Sequence, residues 1–180
     1  MDVKVRLTAP DEAYKIKNMY PLYLHDLSEH LQNLPNEHGI YEESDDYRTL
    51  TDQYEVQQIW WDKPNILFPF MFTVDERPAG FGLVATPPHC TPGIQYFVNE
   101  FFVLRPYRGK GVAQQAAVQL FNQFKGKWEL YTSPAEANGR AQQFWRRTLA
   151  EYGAGKVEET RGNTFAGDKI IFRFHNTDDT

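Results

Sequence analysis

The sequence predicts an α/β (α+β) fold, one domain in which a mixed central β-sheet is flanked by helices on both faces. Three observations predict it. Apolar residues alternate between the spacing of strands and the spacing of helices several times along the chain. A length of 180 residues suits one domain with a sizeable core. A hydrophobic share of 41%, with 13 Phe, 10 Tyr and 4 Trp, excludes a disordered chain, which could not bury enough apolar surface to offset ordering entropy.

Val3, Val5 and Leu7 alternate with charged or polar neighbours, so residues 3–8 read as a strand with one buried face. Pro10-Asp11-Glu12 opens a helix in which Ile16, Met19, Tyr20, Tyr23, Leu24, Leu27 and Leu31 recur at helical spacing. Residues 34–46, with Pro35, Gly39 and an acidic cluster, read as a loop, and Asp46–Trp61 as a short helix. Ile66–Val74 and Ala79–Ala85, joined by the polar turn Asp75-Glu76-Arg77-Pro78, predict an antiparallel hairpin. After a proline-rich loop at Thr86–Gly93, Ile94–Val103 reads as a long strand and Gly109–Phe124 as a helix with an apolar face. Trp128–Thr132 is a strand, Asn138–Leu149 a helix ended by Gly153, and Lys156–Thr160 with Lys169–His175 a hairpin around Arg161–Asp168. The order is β, α, α, β, β, β, α, β, α, β, β, with a core at 3–175 and a polar, frayed tail at Asn176–Thr180.

Composition removes several function classes. With 19 Lys+Arg against 24 Asp+Glu, a net charge of −5 argues against nucleic acid, whose phosphates are bound by clustered cations. One cysteine, Cys90, excludes an internal disulfide framework and a Cys-based zinc cage, and permits a reducing compartment. Met1–Arg6 alternates charged and apolar residues, unlike a secretory leader. The most apolar run, Ile66–Val74, contains Pro69 and falls well short of the roughly 18–20 residues that span a bilayer. A cytoplasmic protein without a membrane partner is expected. His25 and His30 lack the spacing of paired metal ligands, so no metal is implied. Cys90 and His89 are adjacent, their side chains point apart, and no third group orients them, so both read as loop residues.

The chemistry concentrates at Arg105-Pro106-Tyr107-Arg108-Gly109-Lys110-Gly111, where strand meets helix. Two glycines let the backbone bend and bring its N–H groups close to an anion. The helix behind them adds unpaired donors and the positive end of its dipole, while Arg108 and Lys110 add charge. A diphosphate would sit well there; the other reading of the same residues is a strand-to-helix turn that needs Gly for its conformation alone. The Walker A pattern is absent, because Val112 follows Gly111, and Gln114 replaces the third glycine of the dinucleotide fingerprint.

Arg108-Gly109-Lys110-Gly111-Val112-Ala113 resembles the acyl-CoA pyrophosphate loop of the GNAT superfamily of N-acetyltransferases. Asn99-Glu100-Phe101-Phe102-Val103 before it resembles that family's splayed central strand. Asn138-x-x-Ala141-x-x-Phe144-Trp145 resembles its later Asn-x-x-Ala helix, and the element order over residues 3–175 is similar to the family fold. The resemblance implies a single acetyl-CoA-dependent N-acetyltransferase domain over residues 1–180. It implies that the backbone of Phe101, Phe102 and Val103 pairs with pantetheine, that residues 108–113 hold the diphosphate, and that Asn138 reaches the cofactor. Asn is equally a favoured helix cap.

Acetyl transfer needs a proton acceptor and a donor to the developing oxyanion. By the same resemblance these are Glu100 and the backbone N–H of Val103. Many relatives place a Tyr proton donor seven residues after the Asn; Trp145 stands there, and Tyr131 and Tyr152 are the substitutes within the sequence. The acidic run Glu42, Glu43, Asp45, Asp46 reads as a solvated loop; overhanging the site, it would favour a cationic acceptor. The implied function is transfer of acetyl from acetyl-CoA to a primary amine of a small molecule or peptide, in a ternary complex. A non-catalytic acyl-CoA-binding or sensing module is the alternative. A homodimer is left open.

Overall fold

The computed structural model describes residues 1–153 and 155–177, and its seven strands form one sheet. They are β1 (Val3–Leu7), β2 (Leu67–Val74), β3 (Arg77–Ala85), β4 (Tyr96–Val103), β5 (Lys127–Thr132), β6 (Glu158–Thr164) and β7 (Gly167–His175). Their order across the sheet is β1-β2-β3-β4-β5-β7-β6, every neighbouring pair being antiparallel except β4 with β5. The helices are α1 (Ala13–Leu31), α2 (Leu50–Tyr54), α3 (Ile59–Asp62), α4 (Val112–Phe121) and α5 (Gly139–Tyr152).

Side-chain alternation sends two apolar sets to opposite faces. On one face Phe70, Phe72, Val98, Trp128, Leu130 and Phe172 meet Val112, Ala116, Leu120 and Phe121 of α4 and Trp145 and Leu149 of α5. On the other, Met71, Phe81, Leu83, Phe97 and Phe102 meet Ile16 and Met19 of α1 and Trp60 of α3. Helices therefore cover both faces, as the sequence predicts.

Several boundaries differ from the sequence reading, each for a local reason. The helix expected over Asp46–Trp61 starts at Leu50, where the Thr49 hydroxyl accepts from Asp52 N (3.2 Å) and the Asp52 carboxylate accepts from Thr49 N (2.9 Å). It then tightens into a 3-10 turn at Glu55–Gln57 before α3. The glycine loop occupies the start of the predicted 109–124 helix, and α4 begins only at Val112. Arg161–Thr164, read as part of a loop, continues β6, and the hairpin closes at residues 165–166. Those residues are polar because β6 is an edge strand largely exposed to water, with Arg161 paired to Asp168 at 2.8 Å.

The polar tail is also revised. Asn176 is buried: its Oδ1 accepts from Gly126 N (2.9 Å), and its Nδ2 donates to Phe121 O and Phe124 O (2.8 Å each). Residues 178–180 of the expected tail lie outside the described residues.

Candidate active site

The register of β4 sets the site. Glu100 pairs with Leu83 and Val98 with Val84, so Asn99 is an extra residue in the ladder, a β-bulge. Without it, side chains 97, 99 and 101 would share one face. With it, Phe97, Asn99, Glu100 and Phe102 all point to the α1 face, and Val98, Phe101 and Val103 to the α4 face. The bulge thus turns the Glu100 carboxylate toward α1. There Tyr20 Oη donates to Glu100 Oε1 (3.3 Å), as does Asn99 Nδ2 (3.2 Å). Burial pushes the Glu100 pKa from 4.5 up to about 7, against the opposing pull of the Tyr23 and Tyr20 hydroxyls and of Lys169. Burial, reinforced by the Glu100 charge, holds both tyrosines well above their ordinary value. A carboxyl that titrates near neutrality can take up a proton from an incoming group.

Beyond Val98 the sheet opens. β4 pairs with β5 only through Tyr96–Val98 and Trp128–Leu130. Leu104 N donates to Ala79 O (2.8 Å), and Phe102 O lies so near Gly80 that a Cβ there would approach it to 2.0 Å. The backbone of Phe102 therefore faces β3. By antiparallel alternation, Phe101 and Val103 turn their N–H and C=O groups to the opening. Of the three residues expected to offer backbone groups, these two face the gap.

The loop between β4 and α4 has Gly109 at φ 72° and Gly111 at φ 77°, left-handed conformations that a side chain would strain. The first helical bond of α4 runs from Gln115 N to Gly111 O (3.1 Å), and no side chain caps the helix. The first-turn amides therefore have no capping side chain as partner. Lys110 lies on this loop and donates to Pro106 O (3.0 Å). Arg108, expected to add its charge here, is placed differently. Its Nε donates to Val103 O (2.8 Å), its terminal nitrogen binds Asp26 of α1, and its guanidinium sits 5.5 Å from the Phe102 ring centroid. Arg105 binds the same carboxylate at 3.0 Å.

On the α1 face, next to the opening, lies a cleft of about 590 Å³. Trp60, Leu67 and Phe165 form its apolar walls, and Asn99, Tyr131 and Arg173 its polar floor. Phe165 is 75% exposed at the β6–β7 turn, yet its ring lies 5.7 Å from that of Tyr131. His89 and Cys90 line the rim, and Cys90 Sγ donates to Ile94 O (3.3 Å). Of the acidic run, Glu42 accepts from Gln53 Nε2 (3.0 Å) and lies near enough to Tyr20 to push its hydroxyl pKa up, while Glu43, Asp45 and Asp46 are exposed.

Three further residues can now be placed. Asn138 is 8% exposed and makes no side-chain cap; its Nδ2 donates to Thr132 Oγ1 and Ser133 O (2.8 Å each), tying the end of β5 to the start of α5. Trp145 is buried on the α4 face against Phe101, with ring centroids 5.0 Å apart. Tyr152 donates to Asn122 Oδ1 (2.7 Å) at the far end of α4, away from the opening, whereas Tyr131 borders the cleft. Sequence reasoning passed over the roles of Tyr20 and Tyr23, whose i, i+3 spacing on α1 was the available signal. It also passed over Arg173 and its buried partner Glu129, which only strand register brings together.

Among the described residues, no group of three or more His, Cys, Asp or Glu side chains is arranged to hold a metal ion, and no helix is long and apolar enough to cross a membrane. No curated protein matches the chain by sequence. Solved structures do match by fold. Ribosomal-protein-S5-alanine acetyltransferase from Vibrio fischeri has a TM-score of 0.64 at 19% identity, covering 100% of this chain and 96% of that one. An acetyltransferase from Thermus thermophilus has 0.64 at 11%, covering 97% of each. The aminoglycoside acetyltransferase AAC(6')-Ib, in complex with ribostamycin and coenzyme A, has 0.65 at 15%, covering 97% and 94%. The model of the acetyltransferase (GNAT) family matches residues 29–150, which include the bulged strand, the glycine loop and α4. With that match spanning well over half its length, the chain belongs to the GNAT acetyltransferase family.

Proposed function

We propose that the protein is an N-acetyltransferase that moves the acetyl group of acetyl-CoA directly to a primary amine of a small molecule or peptide, both bound at once. The observation that carries this reading is the bulge-directed carboxyl of Glu100, buried beside the opening between β4 and β5 and poised near neutral pH.

The residues fit acetyl-CoA. The side-chain-free bend at Gly109 and Gly111 and the uncapped start of α4 would receive the diphosphate. Phe101 would offer its edge groups to the pantetheine amides, as a strand does to its neighbour; the Val103 carbonyl is taken by Arg108. Bound there, acetyl-CoA supplies the acyl carbonyl and a thiol leaving group. Glu100 takes the proton of the attacking amine, directly or through a water. The Val103 N–H, fixed in the sheet, donates to the developing oxyanion. Arg108 holds the Val103 carbonyl and the Asp26 carboxylate, so its role is to fix the strand end. No side chain is assigned as proton donor to the thiol: Trp145 is in the core, and thiolate is a tolerable leaving group at a thiol pKa of about 8.5.

Thiol release from acetyl-CoA over a panel of primary amines tests the proposal. Glu100→Gln should lower kcat at least about a hundredfold, with acetyl-CoA affinity changed by less than about twofold. Thermal stabilisation by acetyl-CoA with no turnover on any amine would favour the non-catalytic binding module instead.

A further inference from the structure

The floor of the cleft holds a charged pair that the proposed chemistry does not use. Glu129 on β5 is fully buried and stands opposite Arg173 on β7. Arg173 Nε donates to Glu129 Oε2 (2.6 Å), and the Thr91 hydroxyl donates to Glu129 Oε1 (2.8 Å). That is the one hydrogen bond of the Arg173 side chain among the described residues. Its two terminal nitrogens remain unbonded at the cleft, where the side chain is 36% exposed. A buried carboxylate that grips only the Nε edge of an arginine fixes the plane of the guanidinium. It leaves the end-on pair of donors, which carry no hydrogen bond and whose cross-strand neighbour on β6 is the exposed Glu158, in the geometry that binds a carboxylate bidentately.

From this geometry we infer that the cleft selects amines whose carbon chain ends in a carboxylate, and that Arg173 binds that carboxylate. The inference rests on the acetyltransferase reading for the identity of the amine end. Charge differs along this face of the sheet: Arg173 lies on the β7 floor of the cleft, while Asn99, which also lines the cleft, donates to the buried Glu100 carboxyl beside α1. Phe165, whose ring lies 5.8 Å from that of Phe97 and 5.7 Å from that of Tyr131, stands over the strands between them as an apolar wall suited to methylene groups. The spacing sets the length. Arg173 is opposite Glu129, which is opposite Phe97, so it lies two strands, about 10 Å, from β4. Glu100 is a further three residues along, again about 10 Å. An α-amino acid, with both groups on one carbon, is too short to reach both ends; an ω-amino acid of several methylenes spans them.

The test compares 6-aminohexanoate with its uncharged isostere 6-aminohexanamide. Binding of each to the full chain is measured by calorimetry with and without coenzyme A, and each is then assayed as acetyl acceptor. The acid should bind about tenfold or more tightly than the amide, and its KM should be lower by a similar factor. The double variant Glu129→Gln with Arg173→Gln, which leaves no buried charge unpaired, should erase the preference while thermal stabilisation by acetyl-CoA reports an intact fold. Equal affinity for acid and amide in the wild type, or a preference that survives in the double variant, overturns the inference. A preference dependent on Arg173 without acetylation of either compound would uphold the subsite and defeat the transferase reading. Equal acetylation of both would do the reverse.

Discussion

Glu100 shows how much one residue's environment decides. A carboxyl next to two tyrosine hydroxyls would ordinarily titrate low, yet burial outweighs their hydrogen bonds and raises it to about 7. Two outcomes follow from the sign of that shift. In the proposed role of base Glu100 must be ionised, so kcat/KM should rise through about pH 7 and the inflection should vanish in Glu100→Gln. For stability the direction is opposite. The folded state binds this proton more tightly than the unfolded chain, so the contribution is complete below the unfolded value of 4.5 and is lost as pH rises through about 7. Glu100→Gln should therefore melt increasingly above the wild type between about pH 5 and about pH 8, which paired melting curves will show. The sequence offered this residue as a candidate base through the family resemblance, from its place ahead of the glycine loop. The hydroxyls around it were not, because Tyr20 and Tyr23 carry the same helical spacing as the purely apolar face of α1. Arg108 was legible as a cation and misread in direction: Asp26 lies 82 residues away in sequence, and nothing local announces it.

At the scale of elements, the opening depends on β3 holding one edge of β4 firmly. Gly80 allows this closeness, since any Cβ would strike the Phe102 carbonyl. Gly80→Ala should destabilise by about 2–3 kcal/mol through forced backbone movement and weaken acetyl-CoA binding together with stability, measured by denaturant unfolding and by cofactor titration. A fully stable variant would show that the strands separate without cost. α1 and the glycine loop are likewise coupled, because Asp26 receives both Arg105 and Arg108. The loop, α4 and the β2–β3 hairpin were readable from glycines, periodicity and turn residues. The second half of β6, Arg161–Thr164, was not, since a strand wetted on both faces has the composition of a loop. Glu129 and Arg173 were invisible for a related reason: pairing across strands depends on register, which one strand's sequence does not contain.

For the whole molecule, the mixed sheet and its two helical layers follow from the order of periodic segments, and the family model agrees with that reading. What the sequence concealed is how the chain's end is secured. Asn176 reads as the first residue of a polar tail, but it fastens the end of β7 to the corner between α4 and β5 through three backbone groups. Asn176→Ala should strand those groups and cost about 2–3 kcal/mol, visible as a lowered melting temperature with kcat unchanged; a loss below about 0.5 kcal/mol would mean that water replaces the side chain freely. The bulge at Asn99 reaches furthest. Draw the strand straight through Asn99, with the residue kept and the ladder unbroken, and the odd–even phase after it inverts, so the Glu100 carboxyl would be carried through the sheet into the greasy chamber beneath α4 while Phe101 took its seat. One irregularity in the ladder thereby decides on which side of the wall the carboxyl comes to rest.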